Sequence, residues 1–259
     1  MSNLDLAITP EGIAVVTLAR PPMNAMDAAL LEELAILFDG LGGDPSVRAA
    51  VIAGEGRAFS AGLDLKSAPG LDPLGRRRLV DALNGAFGTL YGWPKPLVAA
   101  VNGHAIAGGL ILALCADWRL VAEAPMQVSL AEIRVGVTYP VAPLEIARKE
   151  LTPSVARRLV LLGEALDADA ACALGVFDRR VPRASLRDEA VVAAERHAVL
   201  PPQAFATTKQ ELRAEALMRI RRARAGQGEP RLAGWLGEEM RRASDAVLRA
   251  SSPARRGTA

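Results

Sequence analysis

Two glycine-containing segments, each directly after an apolar run, are the places where this chain can do chemistry with its backbone. The first reads Gly54-Glu55-Gly56-Arg57-Ala58-Phe59-Ser60-Ala61-Gly62-Leu63-Asp64-Leu65, the second Asn102-Gly103-His104-Ala105-Ile106-Ala107-Gly108-Gly109. Small residues let a ligand approach peptide N–H groups, and a helix start adds partial positive charge to them. Two such loops together can form an oxyanion hole with no polar side chain. Tight strand-to-helix packing explains the same glycines, and the loops alone do not choose between the two. Glu132, between Ala131 and Ile133, reads by itself as a surface carboxylate or as a base.

Several other chemistries lack material. There is no G-x-S-x-G elbow, no G-x-x-x-x-G-K-[ST] loop, no G-x-G-x-x-G and no H-E-x-x-H. His104 and His197 are the two histidines, and Cys115 and Cys172 the two cysteines, both in apolar text. No metal site, disulfide framework or cysteine zinc site is expected from them.

The elements that must position the loops follow an α/β alternation. Residues 14–19, 49–53, 97–101, 118–122 and 176–181 read as strands. Residues 27–41 read as an amphipathic helix with Leu30, Leu34, Phe38 and Leu41 on one face, and 76–90 as a second helix. Residues 110–116, 140–151, 154–162 and 167–174 read as short helices. From Leu186 the strand signals stop and the text is helical to about residue 249. The chain divides on this reading into a core over 1–200 and a helical region over 201–259. Within that region Leu212, Ala216, Leu217 and Ile220 form an apolar stripe with the arginine-rich stretch 213–224. It therefore reads as a helix packed on the core or a neighbour rather than as an RNA-binding patch.

Composition narrows the class. With 51% hydrophobic residues, 23% charged and a net charge of +2 over 259 residues, the chain buries a large core and is neither disordered nor a nucleic-acid binder. The uncharged run 97–116 is interrupted by Asn102, Gly103, His104, Gly108 and Gly109, so no membrane span is expected. The start MSNLDLAITPEG lacks a secretory pattern, and a cytoplasmic location is expected.

The wording of the loops adds a resemblance. RPPMNAMD, AFSAGLDL, PKPLVAAVNGHAIAGGLILALCADWRL, SLAEIRVG and FATTK, in that order across nearly the whole chain, resemble the crotonase (enoyl-CoA hydratase/isomerase) superfamily. The resemblance implies an α/β fold with a spiral core of ββα units and a C-terminal α-helical oligomerisation region. It implies an acyl-CoA thioester as substrate, with coenzyme A part of that substrate and no further cofactor, and a homotrimer or a dimer of trimers. Carried over by position, the oxyanion donors are the N–H groups of Ala61 and Gly108. Ala25, Met26, Gly62, Leu63, Asp64, Leu65 and Lys66 are implied contacts of CoA. Arg20, Lys66 and Lys209 are candidate phosphate partners, a solvated charge being the alternative for each.

The acid/base pair departs from the family's hydratases, which resemble one another in carrying two glutamates. One lies three residues after the oxyanion glycine, where this chain has Ile111. The other lies in the SLAEIRVG segment, where it has Glu132. Syn hydration needs a held water and a proton donor, whereas moving a double bond from the 3,4 to the 2,3 position needs one base. The single-glutamate arrangement resembles the family's 3,2-enoyl-CoA isomerases. The implied activity is that isomerisation with Glu132 as sole acid/base. Enoyl-CoA hydratase and a non-catalytic acyl-CoA-binding homologue stand as alternatives. Asp117, Asp64, Glu145, Trp93 and Tyr139 read as a helix-end partner, a loop-fixing group, an exposed helix residue and two aromatics of the core or the acyl tunnel.

Overall fold

The structure is a computed structural model that describes residues 3–64 and 70–227. The chain opens with an antiparallel hairpin, β1 (Leu4–Ile8) and β2 (Ile13–Leu18), then helix α1 (Ala28–Gly43). Three ββα units follow: β3 (Ala49–Gly54), β4 (Ala58–Ser60) and α2 (Pro73–Tyr91); β5 (Leu97–Val101), β6 (His104–Ile106) and α3 (Gly108–Leu114); and β7 (Trp118–Ala122), β8 (Val128–Ser129) and α4 (Val141–Glu150). A short helix α5 (Pro153–Ala156) runs into a π-helical turn at Arg157–Leu161. Then come β9 (Ala165–Leu166), α6 (Ala168–Ala173), β10 (Arg179–Val181), α7 (Leu186–Ala198), α8 (Pro202–Leu212) and α9 (Ala214–Arg224).

Each ββα unit gives its first strand to one sheet and its second to another. The larger sheet has the order β1-β2-β3-β5-β7-β10, the smaller β4-β6-β8-β9. β2, β3 and β5 are buried almost throughout, and their side chains alternate between two cores. Ile13, Val15, Val51, Val98, Leu120 and their neighbours pack on α7 through Ala190 and Ala194. Val16, Leu18, Ile52, Ala99 and Val101 face the main core, built with α1, α2, α3 and α4.

Helix α1 is set by its ends and its stripe. Asp27 accepts the Leu30 N–H at 2.9 Å as N-cap, and Leu30, Leu34, Phe38 and Leu41 are buried as the periodicity requires. Helix α2 starts earlier than expected because Asp72 caps it and Pro73 occupies its first turn. Trp93 belongs to the core: its indole N–H donates to the Phe38 carbonyl at 2.8 Å. β10 is shorter than the 176–181 expectation, and β1, β4, β6, β8 and β9 were not read as strands at all. Helix α9 lays Ala216, Leu217 and Ile220 into the core, while Leu212, expected on that stripe, is 65% exposed. The C-terminal stretch beyond 227 lies outside the described residues. No helix among the described residues is long and apolar enough to cross a membrane.

Candidate active site

The candidate site lies where the three short parallel strands of the small sheet end. β4 pairs β6 (Ala58↔His104, Ser60↔Ala105), and β6 pairs β8 (Ala105↔Val128, Ile106↔Ser129). The segments leaving their carboxyl ends, Ala61–Asp64, Ala107–Gly109 and Leu130–Val135, therefore arrive side by side, the usual ligand position for parallel α/β architecture. A cavity of about 300 Å³ opens there, lined by Ala61, Leu63, Gly108 and Glu132 and walled by apolar residues such as Leu83 and Phe87. Glu132 is the one ionisable side chain on it among the described residues.

Backbone conformation brings the donors to this cavity. Gly62 has φ +78°, and a Cβ there would stand 2.8 Å from the Ile106 carbonyl oxygen and 3.0 Å from the Gly108 nitrogen. Only glycine makes that turn at that distance. Ala107 takes φ 52° and ψ −125°, a conformation that strains a side-chain-bearing residue by about 1–3 kcal/mol. Its N–H donates to the Ser129 carbonyl at 2.8 Å, and its own carbonyl accepts from Leu110 and Ile111. The N–H groups of Leu63 and Gly108 have no hydrogen-bond partner among the described residues.

The expectation for Ala61 is corrected by this pattern. Its N–H donates to the Met23 carbonyl at 2.9 Å, so although Ala61 lines the cavity it offers no free donor. The open N–H of that loop belongs to Leu63, two residues on. The sequence implies Leu63 only as a CoA contact, and no residue type marks in advance which peptide N–H of a loop is left open. Gly108 lines the cavity with its N–H open.

Met26 and Gly62, implied as CoA contacts, are both engaged within the loops. Met26 is buried, its N–H donates to the Gly62 carbonyl at 2.7 Å, and its carbonyl accepts the Asp64 N–H at 2.9 Å. The Gly62 N–H donates to Ser60 Oγ at 3.2 Å. Both residues clamp the loops together. Ala25 and Leu63 are partly open, and Asp64 pairs with Arg20 at 3.1 Å. Leu65 and Lys66 lie outside the described residues.

Arg20 also pairs with Asp27 at 3.0 Å, which ties it to the loop rather than leaving it for a phosphate. Lys209 is buried, donating to Asp117 Oδ2 at 2.7 Å and to the Lys95 carbonyl at 3.1 Å. Neither is a free phosphate partner. Asp117 is a structural partner as read: it also accepts the Leu97 N–H at 2.9 Å. Glu145, expected on an exposed face, is buried and pairs with Arg148 at 3.2 Å. Asn24 was missed: fully buried, it donates its side-chain amide to the carbonyls of Ala58 at 2.9 Å and Phe59 at 3.2 Å and so fixes β4.

Glu132 begins a 3₁₀ turn, Glu132–Val135, that Gly136 ends with φ 66°. Burial against the apolar wall pushes its carboxyl up to about 7, against the opposing pull of the Tyr139 hydroxyl. That hydroxyl donates to Glu132 Oε2 at 2.8 Å. Ile111, three residues after Gly108, is fully buried in the main core.

A ββα spiral with two open backbone N–H groups and one carboxylate on an apolar cavity is an arrangement able to hold an oxyanion. Known proteins are similar to this chain over most of its length. The profile of the enoyl-CoA hydratase/isomerase family matches residues 9–230. Carnitinyl-CoA dehydratase of Escherichia coli K12 is 34% identical over 223 residues, 84% of each chain. A probable enoyl-CoA hydratase of Mycobacterium tuberculosis H37Rv superposes with a TM-score of 0.80 at 32% identity, over 86% of this chain and 94% of that one. Human mitochondrial delta3-delta2-enoyl-CoA isomerase superposes with a TM-score of 0.88 at 25% identity, over 96% and 97%. The chain belongs to the enoyl-CoA hydratase/isomerase family and is an acyl-CoA enzyme of the crotonase superfamily.

Proposed function

We propose that this enzyme converts 3-enoyl-CoA thioesters to trans-2-enoyl-CoA by a 1,3-proton shift with Glu132 as the single acid/base. The observation that carries the reading is the lone carboxylate on the cavity, with Ile111 buried where two-glutamate members place a second. The thioester oxygen accepts from the N–H groups of Leu63 and Gly108. Glu132 takes a proton from C2, and the electron pair delocalises into a dienolate whose charge rests on that oxygen. The protonated Glu132 returns the proton to C4, and the double bond closes between C2 and C3. Each preorganised donor of this type contributes about 2.7–4 kcal/mol to holding the charge. The CoA portion runs past the partly open Ala25 and Asp64, with Leu65 and Lys66 next along the chain. A homotrimer or a dimer of trimers is the assembly proposed with this site.

The similarity to carnitinyl-CoA dehydratases favours a second reading, addition or removal of water across the 2,3 bond. Ultraviolet spectroscopy separates the two. Absorbance of the conjugated thioester should rise when the enzyme meets a 3-enoyl-CoA; absorbance falling with a trans-2-enoyl-CoA marks a hydratase. Glu132→Gln should bind acyl-CoA and isomerise about 10²–10⁴-fold more slowly. Unchanged turnover would remove Glu132 as the base. Binding without either reaction in the unaltered enzyme supports the non-catalytic alternative.

A further inference from the structure

Behind Glu132 stands a residue that the reaction as described does not use. Tyr139, in VTYP between the 3₁₀ turn and α4, is 7% exposed. Its neighbours Val137 and Pro140 line the cavity and it does not. Its hydroxyl oxygen is 2.8 Å from Glu132 Oε2 and 3.3 Å from the Leu130 carbonyl oxygen. A phenol has one proton to give, and the shorter, charge-assisted contact to the carboxylate takes it.

We infer that Tyr139 is the positioning residue of this acid/base, holding Glu132 by Oε2 against the cavity wall and leaving Oε1 to exchange the substrate proton. The inference rests on the reading of Glu132 as base. The other contact that favours the charged form is with the backbone of Glu132 itself, and without the hydroxyl that contact alone would hold the side chain in its apolar wall. A neutral donor supports the charged form without introducing a competing acid. Burial and the adjacent Glu132 charge hold the phenol proton well above the ordinary tyrosine range.

The charged groups on the surrounding elements are turned to other work. On the 3₁₀ turn, Arg134 is exposed. On α4, Glu145 pairs with Arg148 at 3.2 Å and Arg219 of α9 at 3.5 Å. On the π-helical turn, Arg158 pairs with Glu164 just beyond it at 2.7 Å. On β6, His104 accepts the Gln127 N–H at Nδ1, 3.0 Å away. Tyr139 is thus the one side chain recorded in hydrogen bond to Glu132 among the described residues. A single working oxygen suits a 1,3-shift, because the same atom must collect the proton at C2 and deliver it at C4.

The test compares Tyr139→Phe with the unaltered enzyme by two readouts. The first is the ¹³C chemical shift of the Glu132 carboxyl during pH titration, assigned by its loss in Glu132→Gln. The second is the pH profile of kcat/KM with a 3-enoyl-CoA. Removing the hydroxyl should raise the Glu132 midpoint by about one pH unit, a tenfold loss of base form on the acid side, and shift the kinetic limb with it, with KM little changed. A residue that merely fills space would leave both midpoints in place with phenylalanine, and that result overturns the inference. Should Tyr139→Phe fail to fold, 3-fluorotyrosine incorporated in the unaltered chain gives a more acidic phenol. The Glu132 midpoint should then move down, and an unmoved midpoint overturns the inference equally. The chemical-shift titration reports on Tyr139 even where Glu132→Gln retains full turnover, the result that removes the catalytic reading itself.

Discussion

In the proposed reaction Glu132 meets two demands that oppose each other in water: it acts as a base, and it gives its proton back. Burial raises its carboxyl to about 7, which makes both directions accessible near neutral pH. The sign of the pH dependence follows. Proton removal from C2 needs the carboxylate, so kcat/KM should rise with pH through a limb near 7, where the buried group loses its proton. A limb in the ordinary carboxylate range would mean that another group, or a solvated Glu132, does the work. At the same scale, Ala61 and Leu63 differ in whether the peptide N–H is already engaged. Ala61 is engaged by Met23 and Leu63 is open, so two residues of displacement decide which peptide can hold an oxyanion.

Strands of two or three residues position all of this. β4, β6 and β8 have no hydrophobic alternation long enough to stand out, and each exists because its neighbour completes its hydrogen bonds. Their parallel pairing puts the three functional segments at one end of the small sheet, and glycine allows α3 to begin directly against β4. A Cβ on Gly109 would stand 2.1 Å from the Ser60 carbonyl oxygen and 2.9 Å from the Ser60 Cβ. Backbone on both sides leaves little room to yield. Gly109→Ala should lower stability by about 1–3 kcal/mol and reduce kcat/KM further, because β4 carries the Leu63 donor away from Gly108. Urea unfolding and steady-state kinetics read the two effects separately. Unaltered kinetics would show that the approach of α3 to β4 does not set the donor spacing.

Across the whole molecule, α8 and α9 are locked to the core by buried charge as well as by apolar packing. Lys209 at 2.7 Å and Arg213 at 3.1 Å both pair with Asp117, at the end of the segment after α3. Arg213 lies 3.6 Å from Glu150, which also pairs with Arg119 and accepts the Tyr91 hydroxyl at 2.8 Å. Desolvation lowers the Lys209 ammonium to about 8, and Asp117 holds it up against that loss. Asp117→Ala leaves buried Lys209 without its carboxylate and Arg213 with only the longer contact to Glu150, and should cost about 3–5 kcal/mol. The urea midpoint should fall with an unchanged slope. A stability loss below about 1 kcal/mol would show water or rearrangement compensating the pair.

The amino-acid sequence by itself determined the central parallel strands, the stripe of α1, the two glycine loops and the identity of the lone carboxylate. Each of these is written in local pattern: continuous apolar runs, a 3.6-residue period, or motif wording that spans the chain. It did not reveal β4, β6 and β8, the choice of Leu63 over Ala61, the hydroxyl behind Glu132 or the burial of Lys209. Those depend on partners far along the chain or in other elements: Met23 for Ala61, Asp117 for Lys209, the end of one strand for the start of the next. A hydrogen bond or an ion pair between distant residues leaves no periodic trace in either one, so only the tertiary structure could decide which groups are engaged and which are left free to meet a substrate.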